Sequence, residues 1–180
     1  MSHLNIEIKA RHHHADFVRQ YLKKNNADFK GLDHQVDTYF NVTDGRLKLR
    51  EGNIEKNLIY YKRTDEVKAK ESHFQLVNIP DAKGLKEVLT QSLGVKVVVE
   101  KKREIYFIDN VKFHIDIVVG LGSFVEIEAS NLHDPISKER LQEQCNFYKR
   151  EFEIKEEDMV AFSYSDLLLA KDDVMRVDLS

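Results

Sequence analysis

Charged residues alternate with apolar residues along several short segments of this 180-residue chain. Successive side chains of a β-strand point to opposite faces, so each such segment forms a strand with one apolar face and one ionic face. The charges are also sorted, because some segments carry bases and others carry acids. The alternating charged pairs are Glu7 and Lys9, Lys48 and Arg50, Lys101 and Arg103, His114 and Asp116, and Glu126 and Glu128.

Size and composition limit the class of protein further. A chain of 180 residues is long enough for one well-buried core. The net charge of −3 argues against a general nucleic-acid surface, which needs a basic excess. A lone cysteine, Cys145, and the lack of an apolar run of signal-peptide or membrane-spanning length predict a cytoplasmic protein without a membrane partner.

The order of predicted elements is strand, helix, three short strands, one further strand, helix, a second group of strands, and helices. Periodic apolar residues predict a first helix over 15–27, and Asp81 and Gly94 bracket a second. Strands are predicted at 4–11, 35–40, 46–51, 58–63, 72–79, 97–103, 104–108, 111–119 and 124–129. This pattern favours an antiparallel α+β or closed-barrel domain.

The ionic strand faces have two interpretations. Each could simply be solvated, with cross-strand ion pairs that stabilise the sheet by a few tenths of a kcal/mol each. Alternatively, they could line a barrel lumen that stays polar because it holds a charged ligand. Bases would then neutralise a polyphosphate, and carboxylates would bind Mg²⁺ or Mn²⁺, which prefer oxygen ligands. The recurrence of the pattern on five strands favours the lumen.

Segments along nearly the whole chain, roughly residues 4–169, also resemble the CYTH superfamily of triphosphate tunnel metalloenzymes, and most closely its class IV adenylyl-cyclase-like branch. The first segment resembles an acidic-x-acidic-x-Lys signature. The resembling segments, in the family's order, are 5–9 (NIEIK), 37–40 (DTYF), 47–51 (LKLRE), 59–62 (IYYK), 100–107 (EKKREIYF) and 116–128.

The resemblance implies an antiparallel eight-stranded β-barrel with flanking helices, in a single domain over 1–180 with the barrel at about 4–129 and C-terminal helices at about 135–172. It implies catalytic roles for Lys9, Lys101 and Arg103. The implied phosphate-binding residues are Lys48, Arg50, Lys62, Lys101 and Arg103. The implied metal ligands are Glu7, Asp116, Glu126 and Glu128.

Asn5 departs from the signature, which has an acid at that position, so the chain offers a carbonyl oxygen there without a negative charge. Three functions stay open on the sequence. The first is a class IV-like adenylyl cyclase (a lyase) that converts ATP to cyclic AMP and pyrophosphate. The second is a triphosphatase (a hydrolase) acting on inorganic, thiamine or nucleoside triphosphate. The third is a non-catalytic binder of nucleotide or polyphosphate. The resemblance also implies a homodimer.

Overall fold

The computed structural model describes residues 3–63 and 70–178, which contain eight strands and four α-helices. The strands are β1 (His3–Arg11), β2 (Asp28–Phe40), β3 (Arg46–Glu51), β4 (Lys56–Arg63), β5 (Lys70–Asn78), β6 (Val95–Ile108), β7 (Val111–Val118) and β8 (Gly122–Ser130). The helices are α1 (Ala15–Lys24), α2 (Ala82–Leu93), α3 (Lys138–Glu151) and α4 (Tyr164–Asp178), with a 3-10 turn at Glu156–Asp158.

All eight strands close into one antiparallel barrel in the order β1-β5-β4-β3-β2-β6-β7-β8. The predicted fold class is therefore confirmed. Two expected boundaries were wrong, because β6 is a single strand of 14 residues and β2 begins at Asp28. The cause is their mutual pairing, which runs from Asp28 opposite Phe107 to Phe40 opposite Val95 and extends both strands beyond the alternating segments.

The main hydrophobic core lies outside the barrel wall. The outward residues of β1, β7 and β8 pack against α1 and α3, and buried aromatic rings such as Phe113 and Phe152 stack between them. Because each strand gives its apolar face to this outer layer, its other face is left for the lumen. The buried core residues on these elements include Ile6, Ile8, Val18, Leu22, Phe113, Ile115, Val125, Ile127, Leu141, Cys145 and Phe152.

The two ends of the barrel differ in what covers them. Strands in an antiparallel barrel alternate in direction, so the β3–β4 and β6–β7 connections share one end. The start of α4 covers the opposite end, where Tyr164 is buried against Phe124. Asp166 of α4 accepts a hydrogen bond of 2.8 Å from Arg46 of β3 and anchors the helix there. In the described part of the chain, no helix has the length and apolar character needed to cross a membrane.

Candidate active site in the barrel lumen

The barrel encloses a cavity of about 140 Å³ lined mainly by ionic and polar side chains. The lining bases come from four different strands, β1, β3, β6 and β7, and the lining acids come from β1, β2, β8 and the β3–β4 loop. A buried charge without a partner is costly, so the lumen is stable only if these groups balance one another. The ionic lining residues are Glu7, Lys9, Asp37, Lys48, Arg50, Glu55, Lys101, Arg103, Lys112, Glu126 and Glu128.

Asp37 of β2 organises the first group of bases. Its carboxylate accepts hydrogen bonds from Arg50 Nε (2.8 Å) and Nη2 (2.9 Å), and from Lys101 Nζ (2.8 Å). Lys48 Nζ lies 3.3 Å from Asp37 Oδ2. Burial alone would raise the pKa of Asp37, but the three cations outweigh burial and hold that pKa well below its ordinary value.

Lys101 is the most strongly perturbed base of this group. It is only 1% exposed, and burial lowers its pKa to about 7 against the opposing attraction of Asp37. The nearby guanidinium groups of Arg50 and Arg103 contribute to this lowered pKa. Near neutral pH, an anion entering the lumen would therefore favour the protonated form of Lys101.

Glu126 of β8 organises a second group. It accepts hydrogen bonds from Arg103 Nη2 (2.8 Å) and His114 Nδ1 (2.9 Å), and Lys9 Nζ lies 3.2 Å from its Oε1. Burial lowers the pKa of His114 to about 4, so the ring is neutral near pH 7 and its Nδ1 carries the donated hydrogen. His114 Nε2 is buried, and none of the described residues forms a hydrogen bond with it.

Asp116 lies behind Arg103 rather than on the cavity. Its two oxygens accept hydrogen bonds from Arg103 Nε (2.7 Å) and Nη2 (2.5 Å), and Tyr164 donates to its Oδ2 at 2.7 Å. Asp116 has no exposed surface and is not among the lining residues. Asp116 therefore does not lie on the cavity as expected for a metal ligand, and its two oxygens accept hydrogen bonds from Arg103 and Tyr164.

A third group, at the start of β1 and the end of β8, is rich in oxygen atoms. Asn5 Nδ2 donates a hydrogen bond to Glu128 Oε1 at 2.8 Å. Glu7 of β1 lies directly opposite Glu128 of β8 in the strand register. Asn5 Oδ1 is also buried, and within the part of the chain that the structure describes no group donates a hydrogen bond to it. Burial raises the pKa of Glu128, and the charges of Glu7 and Glu126 raise it further.

These oxygens fit a hard divalent cation, which would satisfy the carbonyl of Asn5 and relieve the repulsion between Glu7 and Glu128. Among residues 3–63 and 70–178, no group of three or more His, Cys, Asp or Glu side chains is arranged to hold a metal ion. The fitting set contains only two carboxylates, and the amide of Asn5 supplies the third oxygen.

Eight of the ten site residues predicted from the sequence line the cavity. They are Glu7, Lys9, Lys48, Arg50, Lys101, Arg103, Glu126 and Glu128. The two exceptions are Asp116 and Lys62. The side chain of Lys62 is 56% exposed and forms an ion pair with Asp44 on the outer surface. The expectation for Lys62 was wrong by one position, because the cavity-facing residues of β4 are Asn57, Ile59 and Tyr61.

The sequence reasoning missed four functional candidates: Asp37, Glu55, Lys112 and Tyr164. Asp37 falls within a resembling segment, and Lys112 shares the alternation of His114 on β7. The sequence therefore contained a signal for both residues, the resembling segment for Asp37 and the alternation of side chains for Lys112. Glu55 belongs to a loop and Tyr164 begins a helix, so strand alternation gives no information about either.

The fold and the charged interior define the class of tunnel-type barrel proteins. The model of the CYTH domain family matches residues 3–164, and this chain belongs to that family. CYTH domain proteins are adenylyl-cyclase-like or triphosphatase enzymes, and they use divalent metal ions.

Similar proteins were found in both archaea and plants. A Methanocaldococcus jannaschii protein named "putative adenylate cyclase" is 29% identical over 177 residues, covering 91% of this chain and 98% of the relative. The PH1012 protein of Pyrococcus horikoshii has a solved structure with a TM-score of 0.78 and 27% identity, covering 91% of this chain and 98% of its own. The solved structure of HpAC1 from Hippeastrum, a protein described as having a dominant triphosphatase activity, shares the fold at 15% identity (TM-score 0.59), covering 86% of this chain and 89% of its own.

Replacing Asp37 by Asn should lower the free energy of unfolding by roughly 3 kcal/mol at pH 7, because Arg50 and Lys101 lose their shared carboxylate. The depressed pKa of Asp37 means that its contribution is present above the unfolded-state value of about 3.9 and disappears as the pH falls through the folded-state value. Urea unfolding of both proteins should therefore show a stability difference that shrinks below about pH 4.

The matched control is Asp44→Asn, which breaks the exposed pair with Lys62 and should leave the unfolding curve unchanged. Equal stability losses in the two variants at pH 7 would show that Asp37 does not organise the lumen.

Proposed function

We propose that this protein is a metal-dependent enzyme acting on a nucleoside triphosphate, and that its reaction is the conversion of ATP to cyclic AMP and pyrophosphate. The observation that carries the proposal is that one cavity is lined both by bases and by aromatic and aliphatic side chains. A triphosphate matches the bases, and an uncharged organic group matches the aromatic and aliphatic side chains.

The lining bases supply donors in excess of those used within the protein. Arg103 and Arg50 each have five N–H donors, and Lys101 has three, so hydrogens remain after their bonds to Asp37, Glu55, Asp116 and Glu126 are counted. Charge-assisted hydrogen bonds to phosphate oxygens are short and strong. Lys9 and Lys48 add positive charge to the same cavity.

The aromatic and aliphatic lining residues come from β2, β4 and β5, on both sides of β3. They are Tyr39, Ile59, Tyr61, Phe74 and Leu76, and Lys48 of β3 lies over the Tyr39 and Tyr61 rings. Flat rings and branched apolar side chains are suited to contact a base and ribose, a contact that inorganic triphosphate cannot make. These side chains therefore favour a nucleoside triphosphate over an inorganic one.

Asn5, Glu7 and Glu128 are the residues that would hold Mg²⁺ or Mn²⁺. When bound, the cation would neutralise the negative charge that develops on the triphosphate. Glu126, which the resemblance also assigns to the metal, instead holds Lys9, Arg103 and His114 in place.

In the cyclase reaction, the ribose 3′-hydroxyl attacks the α-phosphorus and pyrophosphate leaves. The protein contributes mainly by fixing the nucleotide in a folded conformation and by stabilising charge on the leaving group. Lys101 and Arg103 are placed to bind the phosphates, and Lys9 is held beside them by Glu126, with its Nζ 4.1 Å from the centroid of the Tyr164 ring.

A product assay with ATP, Mg²⁺ or Mn²⁺ tests this function. Cyclic AMP and pyrophosphate in equal amounts are expected. Free phosphate instead would identify a triphosphatase, and inorganic and thiamine triphosphate should then be assayed in parallel. Tight binding of ATP with no product would identify a non-catalytic binder.

Replacing Lys101 by Met should weaken ATP binding by about 10- to 100-fold, because a buried charge-assisted hydrogen bond to phosphate is lost. The ATP affinity of the unchanged protein should fall as the pH rises through about 7, where Lys101 loses its proton. Calorimetry across this pH range should show a flatter dependence in Lys101→Met, and the comparison cancels the ionisation of ATP itself.

The matched control is Lys102→Ala, which removes the same charge from the exposed outer face of β6. ATP affinity should stay unchanged in that variant, and also in Lys62→Ala. If Lys102→Ala weakened binding as much as Lys101→Met, the phosphates would not lie in the lumen.

Replacing Glu128 by Gln should weaken Mn²⁺ binding by about tenfold or more, because the fitting set keeps only one carboxylate. Asn5→Asp should tighten it, because a third charge is added. Electron paramagnetic resonance of free Mn²⁺, without nucleotide, measures both changes. Affinity should also rise with pH, because the cation displaces the proton that the raised pKa of Glu128 retains.

The outer-wall variant Glu100→Gln serves as the control and should bind Mn²⁺ as the unchanged protein does. Unaltered Mn²⁺ affinity in Glu128→Gln would place the cation elsewhere.

A further inference from the structure

The β3–β4 loop, residues 52–55, is fixed at the end of the barrel opposite Tyr164. Buried Asp33 accepts hydrogen bonds from three successive backbone amides of this loop, those of Asn53 (2.7 Å), Ile54 (2.9 Å) and Glu55 (3.0 Å). A Cβ atom at Gly52 would lie 2.6 Å from the Glu55 carbonyl oxygen and 2.7 Å from the Asp33 carboxylate. The loop therefore requires glycine at this point and has little freedom to move.

This anchoring places the side chain of Glu55 at the end of the cavity. Its Oε2 accepts hydrogen bonds from Arg50 Nη1 (2.8 Å) and Gln35 Nε2 (3.1 Å), and its Oε1 accepts one from Lys112. Burial opposes ionisation of Glu55, but Lys112 and Arg50 hold its pKa well below the ordinary value. The carboxylate is thus a fixed anion between two lumen cations.

Glu55 and Lys112 also mark the boundary of the lumen with solvent. Their side chains are 18% and 17% exposed, whereas Gln35 beside them is fully buried. An extended anion lying along the cavity would pass this point only by displacing the Glu55 carboxylate from Lys112 and Arg50.

We propose that Glu55 sets the length of the phosphate chain that the lumen accepts, so that the site selects a triphosphate over longer linear polyphosphates. This inference rests on the proposed binding of triphosphates in the lumen. A three-phosphate chain ends before the carboxylate and uses the cations around Asp37 and Glu126. A fourth phosphate would have to share Arg50 and Lys112 with the carboxylate of Glu55, which the protein holds in place.

The position of Glu55 relative to the other groups supports this role. The aromatic residues Tyr39 and Tyr61 lie toward the α4 end of their strands, and Glu55 lies at the other end. A nucleotide with its base on the tyrosines therefore directs its terminal phosphate toward Glu55. The fixed loop makes this carboxylate a rigid stop, since its backbone is hydrogen-bonded to Asp33.

The experiment compares the binding of ATP and adenosine 5′-tetraphosphate by calorimetry in EDTA, where metal-dependent turnover does not occur, because the base then fixes the direction of both phosphate chains. The unchanged protein should bind the triphosphate about tenfold or more tightly than the tetraphosphate. Glu55→Gln keeps the shape and removes the charge, and it should tighten tetraphosphate binding until the preference falls to about threefold or less. Glu55→Asp keeps the charge but withdraws it by one methylene. Its preference for the triphosphate should lie between that of the unchanged protein and that of Glu55→Gln.

Glu100→Gln, which removes an acid from the outer wall, is the control for the change in net charge and should keep the original preference. An equal affinity of the unchanged protein for both ligands, or an unaltered preference in both Glu55 variants, would overturn the role of Glu55 while leaving triphosphate binding intact. No binding of triphosphate to the unchanged protein would overturn the proposed function itself. Because the first outcome needs no variant, the proposal stays testable if a variant fails to fold.

Discussion

Charge balance inside a closed barrel is the constraint on which this structure depends. Most cations of the lumen hydrogen-bond or pair with a carboxylate from another strand or loop, and two carboxylates, Asp37 and Glu126, each bind several bases. Ionic groups removed from water need such partners, because an unpaired buried charge destabilises a fold by several kcal/mol. The lumen can therefore be polar only if its charged side chains form one connected network of ion pairs and hydrogen bonds.

This arrangement explains why the hydrophobic core lies on the outside of the barrel. The apolar faces of β1, β7 and β8 need cover, and α1 and α3 supply it through buried residues such as Leu22 and Leu141. The barrel wall is consequently held from outside by packing and from inside by ion pairs. A cavity held in this way keeps its donors in fixed positions before a ligand arrives, and preorganised donors are what stabilise charge in a transition state.

The fold could be predicted from the sequence because charged and apolar side chains alternate along each strand. Pairing between neighbouring strands then keeps the charged residues on one face of the sheet and the apolar residues on the other. The same alternation located most of the lumen, including Lys101 and Glu126. It failed for Lys62, because a shift of one residue moves a side chain to the other face of the sheet. It also could not show depth, so it placed Asp116 on the cavity when that residue in fact supports Arg103.

The groups at the two ends of the lumen were beyond sequence reasoning for a different reason. Glu55 reaches the cavity only because Asp33 captures the amides of its loop, and Tyr164 does so only because α4 returns to the barrel mouth. Both positions are results of tertiary contacts between residues that are distant in sequence. No periodic pattern encodes them.

The most direct test of the central claim is a crystal structure with Mn²⁺ and a non-hydrolysable ATP analogue, in which the anomalous signal of manganese locates the cation. The account predicts a manganese peak beside Asn5, Glu7 and Glu128, with the phosphates on Lys101 and Arg103 and the adenosine against Tyr39 and Tyr61. Phosphates or manganese bound on the outer surface of the barrel, with the lumen ion pairs unchanged, would contradict it.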